Sequence, residues 1–149
     1  MANLVTWTQD ISVGIQEIDE QHKVLINLLN SINEAVEQRR SLEVAKEILG
    51  KLIDYSRIHF SVEESLMRVL NYPGYDEHKE LHQDLMDNII ALSQKLDEGK
   101  LAVGVELQYF LKNWLVKHIM ETDKQYTEHF IKAGAQTTFK KSSWNISFW

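Results

Sequence analysis

Five of the six histidines fall on the apolar stripe of a segment with helical period: His22, His59, His78, His82 and His118. In "YDEHKELHQDL" His78 and His82 are four residues apart, so on a helix they share one face, roughly 6 Å apart along the axis. His59 and Glu63 in "HFSVEE" repeat that spacing, which lets the carboxylate enter the same interior. Glu64 lies about 100° further round and is expected to be exposed. A lone histidine on an apolar face is usually an ordinary hydrogen-bonded core residue. Five of them are different, because each buried polar group without a partner costs about 1–3 kcal/mol. Together they would cost on the order of 10 kcal/mol, the scale of a whole domain's stability. A cation accepts several imidazoles at once, so this pattern points to metal binding.

The residue types narrow the metal chemistry. There is no cysteine, which removes disulfides, thiolate nucleophiles, iron–sulfur clusters, thiolate zinc sites and covalent c-type haem. Any metal must be held by nitrogen and oxygen. Five imidazoles and one or two carboxylates exceed the four ligands zinc usually takes. They suit two five- or six-coordinate first-row ions bridged by carboxylate, and iron, manganese, cobalt and zinc all accept such donors. His-Glu-x-x-His is absent, and so is any Glu-x-x-His of the ferritin-like carboxylate sites. In "HIMETD" a straight helix puts Glu121 about 60° and Asp123 about 140° from His118. Spacing favours Glu121 without deciding between them.

Four helical segments must position these groups. The first follows Asp19, an N-cap candidate, and turns His22, Leu25, Ile26, Leu29, Ile32 and Val36 to one side. The second opens near Ser41 and carries Val44, Ile48, Leu52, Tyr55, His59, Val62 and Leu66. The third follows the break at Pro73-Gly74 and ends near "DEGK". The fourth runs from about 102 to 131, with Leu107, Leu111, Trp114, Leu115 and His118 inward and Gly134 as its stop. Short connections predict an all-α, up-down-up-down antiparallel four-helix bundle over 19–131. An irregular N-terminal arm, 1–18, is expected to cover one end or side of it with Val5, Trp7, Val13 and Ile15. One domain of 149 residues is expected, its aromatic tail, 132–149, either packing on the bundle, mediating association or being an added extension.

A net charge of −6 argues against nucleic acid as the partner. No apolar run approaches membrane-spanning length, and "MANLVTWTQD" has no signal pattern. A cytoplasmic protein without membrane partners is expected.

Over residues of about 5 to 131 the chain resembles the hemerythrins, in particular the single-domain bacterial ones. The resemblance rests on "VGIQEIDEQHKVLINLLN", "HFSVEESLM", "HKELH" and "NWLVKHIMETDKQY", in that order and spacing. It implies a non-haem centre of two iron ions with an oxo or hydroxo bridge, taking dioxygen as a reversible ligand. His78, His82 and His118 would hold one iron and His22 and His59 the other, with Glu63 and Asp123 bridging. By resemblance, Asp123 is thus preferred to Glu121. Trp114, Leu115 and Ile119 occupy the positions that line the oxygen pocket in the family. Leu25 and Phe60, beside His22 and His59, are further wall candidates, and Tyr126 is expected to donate a supporting hydrogen bond. His129 has no counterpart in the motif and is expected not to be a ligand.

The implied function is that of an oxygen carrier or store rather than an enzyme. An oxygen-consuming enzyme or a reductase would be its partner. The alternatives are an oxygen or redox sensor, or a di-iron enzyme acting on peroxide, nitric oxide or ferrous iron. A haem-binding bundle ranks last, because two facing histidines would leave three others and Glu63 unexplained.

Overall fold

The computed structural model describes residues 4–38, 41–100, 104–117 and 122–133. They form α1 (Gln16–Glu37), α2 (Leu42–Val69), α3 (Tyr75–Asp97), α4 (Val105–Val116) and α5 (Lys124–Lys132). A single 3-10 turn, Gln9–Ile11, precedes them, and no strand occurs among the described residues. α1 packs on α2 and on α4, and α2 packs on α3. The Trp114 indole N–H closes the ring by donating to the Leu85 carbonyl of α3 at 2.9 Å. No helix among the described residues is long and apolar enough to cross a membrane.

α1 starts at Gln16, three residues before the expected cap, with extended Ile15 at the capping position. Asp19 has other work one turn in. Its two carboxylate oxygens accept from Ser12 Oγ (2.6 Å) and the Val13 N–H (2.8 Å), tying down the arm. Gly14, at φ +79°, makes the bend between them, a left-handed conformation that favours glycine. Further out, Val5 and the Asn30 amide exchange two hydrogen bonds, at 3.0 and 2.7 Å. Val5, Val13 and Ile15 are buried, and Trp7 packs partly buried with Lys23 over its ring. The arm therefore lies along the bundle as expected.

Ser41 caps α2 by accepting from the Val44 N–H. α2 ends in a Schellman turn: Asn71 takes φ 54°, and the amides of Tyr72 and Asn71 return to the carbonyls of Met67 and Arg68. Pro73 follows, where a helix could not continue. α3 ends the same way on Gly99, at φ +72°. The expected stop at Gly134 lies outside the described residues, and the tail beyond it does too.

The fourth predicted helix differs most. It is described as α4 and α5, with Lys117, Thr122 and Asp123 wound in wider i→i+5 turns, and 118–121 lying outside the described residues. The inward faces explain the wide winding. Leu107, Leu111, Trp114 and Leu115 define the buried face of α4, and Asp123, Tyr126 and Phe130 that of the following segment. At 100° per residue on one straight helix, those two faces would be about 100° out of phase. One wider turn absorbs one residue and brings both to the same side.

The apolar interior has two parts. The larger gathers Leu25, Leu29, Ile32, Leu49, Leu52, Ile89, Leu96, Leu107 and Leu111 from four helices. The smaller joins Val13, Ile15, Ile18, Val62 and Met67 to Tyr126 and Phe130. The buried histidines lie on the same helices between the residues of these two groups.

Candidate metal centre

α1 contributes His22, α2 contributes His59 and Glu63, α3 contributes His78 and His82, and Asp123 stands just before α5. All six side chains are 2% exposed or less. Each reaches the interior because it shares a helix face with leucine, isoleucine or phenylalanine neighbours, so the apolar stripe that buries the helix also aims the ligand.

The polar atoms converge. His22 Nε2 lies 2.6 Å from Asp123 Oδ2 and 3.1 Å from His59 Nε2. Glu63 Oε1 stands between His59 Nε2 (2.9 Å) and His82 Nε2 (3.4 Å). Asp123 Oδ1 is 3.6 Å from His78 Nε2. Two groups result, His22–His59–Glu63–Asp123 and Glu63–His78–His82–Asp123, and within each the donor atoms lie within 4.8 Å of one another. Both groups contain the same two carboxylates. Glu63 and Asp123 thus sit where each could serve two cations at once.

His118, Ile119 and Glu121 lie outside the described residues. Asp123 is inside the cluster despite the straight-helix expectation, because the wide turn ahead of it shifts its phase. His129 belongs to neither group; its Nε2 meets the Leu70 carbonyl at 2.8 Å, and its ring packs on Tyr72.

Burial and charge set the protonation of the metal-free cluster. Burial pushes His59 down, but the Glu63 charge and hydrogen bonds to Asp123 and Glu63 outweigh it and raise the imidazole to about 9. His82 likewise reaches about 9, because hydrogen bonds to Glu63 and Glu64 override its burial. His22 stays below the ordinary imidazole range, since burial there exceeds the help from Asp123. The carboxylates draw positive charge into the cavity, and protons and metal ions compete for that place.

The donors fit a metal pair on their own geometry. His78 Nε2 is buried and makes no hydrogen bond among the described residues. The facing Nε2 atoms of His22 and His59 can share one proton, or both can direct lone pairs at a cation. Nitrogen and carboxylate oxygen are the donors that first-row divalent ions accept.

Two supporting residues were not expected from sequence. Gln21 Oε1 accepts from His59 Nδ1 at 2.6 Å, and Glu64 Oε2 accepts from His82 Nδ1 at 2.9 Å. Glu64 is thus not the freely exposed side chain its position suggested; it is only 20% exposed. Each sits beside a buried cluster residue of its own helix and reaches the histidine of the next helix round. Their signal in sequence is a polar residue on the shoulder of an apolar stripe, adjacent to a ligand. Tyr126 is buried and its hydroxyl donates to Glu63 Oε2, the supporting bond that was expected.

The wall is apolar. Leu25 and Leu115 are fully buried, and Phe60 stacks on His82 with centroids 4.2 Å apart and planes 10° apart. Trp114 stands 6.5 Å from Phe60.

An all-helical fold around a buried cluster of histidines and two shared carboxylates, with donors that could hold cations, defines the class. The family model of the hemerythrin HHE cation binding domain matches residues 13–129, and the chain belongs to the hemerythrin family. It is 34% identical to a bacteriohemerythrin of Pseudomonas aeruginosa, covering 86% of this chain and 82% of that protein. A bacteriohemerythrin of Methylococcus capsulatus is 32% identical, with 83% and 94% covered. A crystal structure of wild-type hemerythrin superposes with a TM-score of 0.77 at 29% identity, covering 85% of this chain and 98% of that one.

Proposed function

We propose that the chain binds dioxygen reversibly at a pair of iron ions and acts as an oxygen carrier or store. The observation that carries this reading is the sharing of Glu63 and Asp123 by both donor groups, in a chain of the hemerythrin family. In this reading His22 and His59 hold one iron. His78 and His82 hold the other with His118, which enters by family pattern. In this reading the helices run up-down-up-down, and the arm that packs on them through Val5 belongs to the same domain. Iron would supply two electrons that dioxygen takes up and returns.

The chain's own residues do the rest. Glu63 and Asp123 hold the two ends at a fixed separation, and Tyr126 fixes Glu63 by donating to the oxygen turned away from His59. Gln21 and Glu64 accept the Nδ1 protons, which leaves the Nε2 lone pairs of His59 and His82 directed inward. Leu25, Phe60, Trp114 and Leu115, with Ile119 by family pattern, exclude water, so that bound oxygen leaves as oxygen rather than as a reduced species. We place the protein in the cytoplasm, with an oxygen-consuming enzyme or a reductase as its partner.

The test is spectroscopic. Iron-quantified protein, reduced without oxygen, should be colourless, colour on admitting oxygen with two irons per chain, and bleach when oxygen is removed. Irreversible oxidation at first exposure would overturn the carrier reading in favour of a redox sensor or an enzyme.

A further inference from the structure

The two ends of the centre are backed by different chemistry. At the His22–His59 end, the support is the neutral amide of Gln21, which is completely buried. For His59 to ligate through Nε2 its Nδ1 must carry the proton, so Gln21 must present its oxygen. Its Nε2 is then left buried with no hydrogen-bond partner among the described residues. At the His78–His82 end, the support is the Glu64 carboxylate, which is partly exposed in an open cleft of about 360 Å³ between α2 and α3. Arg57, Ser61 and Lys79 also line that cleft, and His82 forms part of its wall. Among the described contacts Glu64 pairs with the His82 imidazole and with neither cation.

A carboxylate behind an imidazole makes it a stronger donor than an amide does, and adds a negative charge close to the cation. The cleft also brings the surface up to Glu64 and the outer edge of the His82 ring, whereas Gln21 and His59 are fully buried. Charge and proximity to the surface act in the same direction. We propose that Glu64 and Gln21 make the two ends unequal, so that the His78–His82 end takes the first cation and the His22–His59 end the second. Glu64 is a positioning residue: it acts on the metal through His82. The inference rests on the two-ion reading given above.

Cobalt(II) is a suitable probe, being coloured and stable to air oxidation on the timescale of a titration. Metal-free full-length protein titrated with cobalt should show two resolved steps in visible absorption, with two ions bound per chain by dialysis. Glu64→Gln keeps an acceptor at the same place and removes the charge. It should weaken the first step roughly 10-fold and leave the second nearly unchanged, whereas Glu64→Ala should weaken the first step by up to roughly 100-fold. Gln21→Glu should strengthen the second step and draw the two together. Two ions bound in a single unresolved step, or both steps weakened alike by Glu64→Gln, would overturn this inference while leaving the two-ion reading intact. So would weakening of the second step alone, because the order would then be reversed. Fewer than two cobalt ions per chain would overturn the two-ion reading, and this inference with it.

Discussion

Leu29, Ile32, Leu49 and Leu96 are almost wholly buried, and so are His22, His59, Glu63 and Asp123 on the same or neighbouring helices. Exposure does not distinguish the two regions; the conditions under which burial is favourable do. Each leucine or isoleucine contributes about 1.5–3 kcal/mol by leaving water, whatever the solution contains. The histidine–carboxylate region has taken charged and polar groups out of water, and recovers that cost only when positive charge occupies the space between them. Folding of the aliphatic part is unconditional. Folding of the other is tied to protons or metal ions.

Substitutions can break that contrast. The largest effect is expected from His82→Ala, which removes a ligand common to the exposed cleft and the buried cluster. Metal content measured after dialysis should fall from two ions per chain to one or none, and the melting temperature of protein prepared with metal should drop toward that of the metal-free form. Leu29→Ala should cost about 2–5 kcal/mol by cavity formation. Denaturant titration should give the same loss with and without metal, and a metal-dependent loss would mean that the two regions are not separable.

A pH series sharpens the same contrast with a smaller effect. His59 and His82 of the metal-free protein are raised to about 9, above the unfolded value of 6.5. The stability they contribute is fully present below about pH 6.5 and is lost as pH rises through 9. His22 is lowered and acts in the opposite sense, its contribution being lost as pH falls below 6.5. Metal uptake displaces the protons on His59 and His82. The gap in melting temperature between metal-loaded and metal-free protein should therefore widen from pH 6.5 to 9 in calorimetry. A constant gap would show that these imidazoles are neutral before metal arrives. The smallest effect is expected from His129→Ala, about 0.5–1.5 kcal/mol for the lost bond to the Leu70 carbonyl, with metal content unchanged.

Much of the cluster was legible because burial and ligation use the same helix face. His22, His59, Glu63, His78 and His82 all lie on stripes whose leucines and isoleucines announce the interior, and all five meet there. Asp123 was legible only through family resemblance, since straight-helix geometry turned it away. The information was nevertheless present: the stripe of Leu107, Leu111, Trp114 and Leu115 and the stripe of Tyr126 and Phe130 are out of phase by one residue. The start of α1 was misjudged because Asp19 looks like a cap but spends both carboxylate oxygens on the arm. Gln21 and Glu64 escaped because their partners are on other helices, and periodicity within one helix says nothing about what a shoulder residue meets across the gap.

The wider turn ahead of α5 makes chain length, rather than residue identity, the quantity under constraint there. A further residue inserted at Lys117 or Thr122 without another wide turn would remove no donor of either group, yet would rotate Asp123, Tyr126 and Phe130 together by about 100°. One shared carboxylate, the hydroxyl that steadies the other, and a fully buried ring would all leave the interior in a single step. Among relatives, this segment should therefore tolerate exchanges of side chain while resisting further insertion, and a one-residue gap here would mark a helix that runs straight through with the same inward face.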